Sequence, residues 1–260
     1  MCLYAGTSIV VIKKTQKMFK IPASSLDMLE TASPMVCKPP FEGMDSNKFR
    51  VISRPDECIV VLFYQRAFSN FSKCNVPVLI NNKQVFFPCG EAMFKCACAA
   101  YFKNWAIFEK VFKSNNPLEA KLATKEIPDF NRDEWDAVSY HVMLEVQKWK
   151  SLDLELFNSL EIIHELARKS RVAIENVMFM ESTSKDTLWG TGIDTDELST
   201  IIEESNTDDI LSGAIYEPSE NLLGLAITTV FQEIAGKTYE AYLAEVNMTS
   251  TLFAVDPDLQ

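Results

Sequence analysis

The chain reads as a mainly helical α+β protein, a single domain in which helices pack around a small, largely antiparallel sheet. Three observations carry this reading. Short apolar runs with strand spacing fall before residue 90, and helical apolar periods dominate after it. The length, 260 residues, suffices for one substantial core and is short for two.

Residues 1–45 include Ser24-Ser25, Pro34, Pro39 and Pro40 and lack a sustained apolar period, so they are expected to form an N-terminal extension that either wraps the domain or stays mobile and adds little to the core. The domain proper is expected over 46–248. Residues 49–53 predict a strand, Pro55-Asp56 a turn, and Ile59-Val60-Val61-Leu62-Phe63 a second strand. The stretches 76–80 and 85–87 flank Asn81-Asn82-Lys83 and predict a hairpin, because Asn tolerates the positive φ of such turns.

After Pro88-Cys89-Gly90 the period turns helical. Glu91 opens a segment whose apolar residues at 94, 97, 98, 101 and 102 share one face. Pro117 suits a first helical turn, with Asn116 as its cap. Asn131 with Glu134 predicts another start, followed by Trp135, Val138, Val142, Val146 and Trp149 along one face. Residues 154–167 form a further amphipathic segment, and 172–180 read as a strand. The acidic stretch 194–209 is expected as a solvated loop or a short exposed helix. A helix over 222–246, interrupted at Gly236, precedes a tail at 249–260.

Composition narrows the function. The chain is 47% hydrophobic and 23% charged, as globular proteins are. Its net charge of -11 argues against broad nucleic-acid or anionic-membrane binding, both of which need excess Lys and Arg. No apolar run approaches the roughly 20 residues that span a bilayer. The seven cysteines are odd in number and scattered, unlike a disulfide framework, which points to a reducing compartment. The apolar run at 9–12 precedes Lys13-Lys14, the reverse of a secretory signal, so the expected location is cytoplasmic.

Glycine-rich phosphate loops, a Gly-x-Ser-x-Gly elbow and a His-Glu-x-x-His helix do not occur. The histidines, His141 and His164, both fall within helices, which disfavours a His-based triad. Cys96 and Cys98 point to different faces of a helix and read as packing residues; no metal and no cofactor are expected.

Three segments retain chemical interest. Residues 63–71 place four aromatics, Arg66, Ser69 and Asn70 at a strand end, as half-buried packing or as a stacking face for a base. Glu91 is either a helix-start carboxylate favoured by the macrodipole or an acid/base at a pocket edge. Residues 181–192 combine Asp186, Trp189, Gly190 and Gly192, either as a polar turn with a buried Trp or as a loop that closes on a ligand.

Together these segments resemble the NADAR (YbiA-like) family, whose pattern is an aromatic-Phe-Ser-Asn-Phe loop, a helix-opening Glu, a Glu-x-Ser-x-x-Asp-x-x-Trp-Gly-x-Gly motif and an Asn-x-Leu-Gly helix. Here they read Phe68-Ser69-Asn70-Phe71, Glu91, 181–192 and Asn221-Leu222-Leu223-Gly224. Pro117-Leu118-Glu119-Ala120-Lys121 resembles the family's Pro-x-Glu-Ala-Lys helix start, and Trp135, Met143 and Lys148 match its Trp, Met and Lys. Where the family has His-x-x-Gln-x-x-Lys, this chain has Ala92, Lys95 and Cys98.

The resemblance implies a hydrolase that breaks an N-glycosidic bond at a ribose anomeric carbon, without a metal. Its substrate would be a ribosylamino-pyrimidine phosphate or an ADP-ribosylated guanine. It implies Glu91 as general acid/base, with Asp186 stabilising positive charge or positioning water. Phe68, Ser69, Asn70, Phe71, Lys95, Lys148 and Asn221 would bind substrate, Trp135 and Trp189 would wall the pocket, and Gly190 and Gly192 would let it close. The rival expectation is a non-catalytic protein of the same fold that binds ADP-ribose or a related nucleotide.

Overall fold

The computed structural model of the chain describes residues 19–24, 49–64, 67–73, 77–80, 83–114, 116–249 and 252–256. Gln65, Arg66, Asn81 and Asn82 of the expected hairpin turn, and most of the expected extension and tail, lie outside the described residues. In chain order the strands are β1 (Phe19–Pro22), β2 (Arg50–Arg54), β3 (Cys58–Phe63), β4 (Pro77–Ile80), β5 (Lys83–Phe86), β6 (Val177–Glu181) and β7 (Phe253–Asp256). The helices that matter here are α1 (Gly90–Tyr101), α2 (Trp105–Lys113), α3 (Pro117–Ala123), α4 (Arg132–Lys150), α5 (Leu154–Lys169), α6 (Thr195–Glu204), α7 (Thr207–Ser212), α8 (Leu222–Ile234) and α9 (Tyr239–Thr249).

The fold class is the one read from sequence, a mainly helical α+β protein. Its central sheet has the order β2-β3-β6 and is mixed: β2 and β3 are antiparallel, β3 and β6 parallel. The parallel partner arrives through a long helical crossover, which a hairpin reading of neighbouring segments does not reveal. Strand β3 is buried along its whole length because both faces of the sheet are covered. Ile59, Val61 and Phe63 face the main core with Val177 and Phe179, while Cys58, Val60 and Leu62 face a second core with Met178 and Met180.

That second core differs from expectation. The acidic stretch is helical, the second of its two expected forms, but α6 and α7 are not merely exposed: their Leu198, Ile202 and Ile210 close the far side of the sheet. Leu198 and Ile202 lie one turn apart on the inner face, and the acids face outward with Asp194 capping the start. The chain termini also contribute more than expected. Strand β1 pairs in parallel with β7, so Phe19, Ile21 and Phe253 are buried in the main core, and Phe253 stacks on Phe87 at 5.7 Å. A four-residue strand carries too little pattern to announce itself, and its partner lies at the other end of the chain.

The helix starts follow local chemistry. Asn116 accepts from the Leu118 N–H behind Pro117, and Asn131 accepts from the N–H groups of Asp133 and Glu134. The interruption at Gly236 separates α8 from α9, with the glycine at φ 76°. Helix α2 was not anticipated, although Asn104 caps it and Ile107, Phe108, Val111 and Phe112 form its buried face. Among the described residues no helix is long and apolar enough to cross a membrane.

Candidate active site

The 68–70 loop is set by helix α4. Lys150, one of the most deeply buried side chains, donates to the carbonyls of Phe68 and Ser69, each at 2.7 Å. One and two turns back on the same face, Gln147 donates to Asn70 Oδ1 at 2.6 Å and Met143 Sδ accepts from Asn70 Nδ2 at 3.0 Å. The spacing 143, 147, 150 is a single helical stripe, so one rigid element orients the Asn70 amide.

Helix α1 begins against the same loop. Its Glu91 N–H donates to the Asn70 carbonyl at 2.8 Å, and Cys89 caps the helix through Sγ. A side chain at Gly90 would meet Asn70 Oδ1 at 2.8 Å, so only glycine permits this approach. The Glu91 carboxylate faces the Lys95 ammonium one turn on, at 3.7 Å.

The 186–192 loop forms the opposite wall. Asp186 Oδ1 accepts from the N–H groups of Leu188 and Trp189, at 3.1 and 2.8 Å. The first N–H groups of α8 are satisfied by this loop: Leu222 donates to Leu188 and Leu223 to Trp189, both at 3.0 Å. Asn221, held at φ 50°, pairs its amide with both the Glu181 N–H and the Phe179 carbonyl at 3.0 Å. Its side chain thus completes the open edge of β6, which pairs with no further strand among the described residues.

Between these walls lies a cavity of about 380 Å³ that brings together Ser69, Asn70, Phe71, Glu91, Lys95, Asp186 and Trp189 from the expected set. Trp135 lines an adjoining cavity of about 400 Å³, which shares Phe94, Lys95, Lys121, Arg132 and Trp189 with the first. Phe94 sits between the two tryptophans, 5.3 Å from Trp135 and 5.2 Å from Trp189.

The remaining expected residues stand outside both linings. Phe68 is in the core, against Phe49, Phe63 and Phe179. Lys148 lies on another face of α4, with Glu145 at 3.3 Å and Glu233 at 3.6 Å; Lys150 is the lysine that reaches the loop. The space beside Gly190 is filled by Thr183 and by the carbonyls of Glu181 and Asp186, and Gly192 adopts φ 71°. Both glycines therefore let the loop fold on itself. Asn221 acts one layer behind the cavity, as the edge of β6.

The charged wall residues Glu181, Lys121, Arg132 and Lys185 had no role in the sequence reading. Burial raises the Glu181 carboxyl to about 7, assisted by the negative charges of Asp186 and Glu91 and opposed by Lys121 and Lys150. Glu181 heads the Glu-x-Ser motif, which was the available signal; its proximity to two other carboxylates was not. Cys96 and Cys98 are buried, and burial pushes both thiols up, that of Cys98 to about 12. Among the described residues no group of three or more His, Cys, Asp or Glu is placed to hold a metal ion.

Comparison with known proteins places the geometry in context. No curated protein matches the chain. The NMR structure of the E. coli protein YbiA is similar at 17% identity, covering 70% of this chain and 88% of that one, with a TM-score of 0.41. The NADAR domain model matches residues 62–235, well over half of the 260, and takes in every wall of the cavity: the chain belongs to the NADAR family.

Proposed function

We propose that the protein is a hydrolase that cleaves the N-glycosidic bond at the anomeric carbon of a ribosyl substrate, of the ribosylamino-pyrimidine phosphate or ADP-ribosyl-guanine type. The observation that carries this reading is the meeting of Glu91, Asp186 and Glu181 with the Trp189 face in one cavity. Cleavage of such a bond passes through an oxocarbenium-like sugar, which needs carboxylates to stabilise it, to activate water and to protonate the leaving nitrogen. Glu91 serves as acid/base from the rigid start of α1. Asp186 has one oxygen committed to its own loop, and the other faces the developing positive charge or the water. Ser69 and Asn70 hold the ribose or phosphate, with Lys95 beside them, and Phe71, Trp135 and Trp189 supply aromatic walls.

A second reading is a nucleotide-binding protein without turnover. The departures from the family's His-x-x-Gln-x-x-Lys pattern, at Ala92, Lys95 and Cys98, favour it. Incubation with ADP-ribosylated guanine oligonucleotide and with ribosylamino-pyrimidine phosphate, followed by mass spectrometry, decides between them. The hydrolase reading expects release of free base and a loss of at least about 100-fold in Glu91→Gln, with affinity and melting temperature near wild type. Trp189→Ala should weaken binding instead. Binding of ADP-ribose with no turnover of any N-riboside selects the second reading, and absence of both overturns the two together.

A further inference from the structure

Glu181 ends strand β6 at the cavity wall, and its backbone is fixed on both sides. Its N–H donates to Asn221 Oδ1 at 3.0 Å, and its carbonyl accepts from the N–H groups of Thr183 and Thr191 at 3.1 and 2.9 Å and from Thr191 Oγ1 at 3.1 Å. The carboxyl is used differently. Among the described residues none donates a hydrogen bond to it, and it opens into the cavity. Its two neighbours are already engaged: Asp186 by the Leu188 and Trp189 N–H groups, Glu91 by the Lys95 ammonium. A rigidly mounted carboxyl that lines the cavity with both oxygens unclaimed is the one placed to hand a proton to a ligand, while Glu91, beside the Lys95 ammonium, is placed to receive one from water.

We propose that Glu181 is the general acid of the reaction, a role that rests on the hydrolase reading above and divides its proton chemistry between two residues. As the C1′–N bond breaks, its electron pair goes to the leaving nitrogen, which takes the proton from the Glu181 carboxyl. Water adds through oxygen to C1′ and gives its proton to the Glu91 carboxylate. Solvent then returns Glu91 and Glu181 to their starting states, so the sum is riboside plus water to ribose plus free base. Burial first, then the charges of Asp186 and Glu91, raise Glu181 to about 7, so a large part of the population carries the proton at neutral pH. Lys121 and Lys150 oppose that rise, and Lys95, Arg132 and Lys185 complete the charged groups around the cavity.

Two ribosides distinguish an acid from a merely structural carboxyl. One is an N-riboside whose base must be protonated to leave; the other is a nitrophenyl riboside, whose phenolate departs unprotonated. Wild-type kcat/KM on the N-riboside is expected to fall about tenfold per pH unit above about 7, as the acid ionises. Glu181→Gln should lose at least about 100-fold on the N-riboside and its alkaline fall, yet lose less than about tenfold on the nitrophenyl riboside. Glu91→Gln should slow both.

Equal losses by Glu181→Gln on the two substrates overturn the proposal, and so does a retained alkaline fall; in either case the hydrolase reading survives. A wild type inert on every riboside overturns the hydrolase reading, and this role with it. If Glu181→Gln lacks a cooperative unfolding transition, Glu181→Asp keeps a titrating carboxyl: a slower enzyme with the alkaline fall is then the expected result, and a flat profile overturns the role.

Discussion

Replacing Glu181 by Gln tests the electrostatics of the cavity without any substrate. An ordinary carboxyl with a value of 4.5 is raised to about 7 here, so ionising it in the folded protein costs more than in the unfolded chain. At about 1.4 kcal/mol per pKa step of one, the extra cost is roughly 3 kcal/mol. Between these two pH values the folded protein keeps a proton that the unfolded chain has released. Stability therefore falls as pH rises through that window, and the loss is complete above about 7. Gln has the same shape and never ionises, so it lacks this loss. Urea unfolding followed by tryptophan fluorescence, from pH 4.5 to 8.5, gives both stability curves. The variant should gain roughly 2–3 kcal/mol on wild type across the range. Every titration distant from the cavity cancels in the difference. Parallel curves, within about 0.5 kcal/mol at both ends, would refute the argument and show that the carboxyl is no harder to ionise here than in the open chain.

Two further substitutions probe the frame around the site. Asn221→Ala leaves the Glu181 N–H and the Phe179 carbonyl unpaired at the edge of β6 and should cost roughly 2–4 kcal/mol, read as a lower urea midpoint. Ile21→Ala removes a fully buried side chain from the strand that joins β7 and should cost roughly 2–5 kcal/mol; a change under about 0.5 kcal/mol would mean that this strand does not pack in solution.

Much of the fold was legible because its signals are local. Pro117 behind Asn116, Asn131 before Glu134, and Gly236 between two apolar helices each act on the backbone within a turn of themselves. The unbroken run from Ile59 to Phe63 likewise reports a strand, since alternate side chains that are all apolar suit a sheet covered on both faces. The loop around Asn70, the helix start at Glu91 and the Trp189 loop were legible as motifs, and the fold brings all three to one cavity.

What tertiary structure decided has one physical cause: it depends on distance in space between groups far apart in the chain. Sequence alone determined that a buried face would run along α4, but not that Lys150, rather than Lys148, would reach two carbonyls more than 80 residues away. It determined where strands near the middle form, but not that the short segments at 19–22 and 253–256 would pair with each other. It placed the three carboxyls in two segments, Glu91 at a helix start and Glu181 with Asp186 in the 181–192 motif. Only their convergence under Trp189, with burial and mutual repulsion added to the chemistry common to every Glu, decided that Glu181 would hold its proton so much more tightly than an exposed carboxyl.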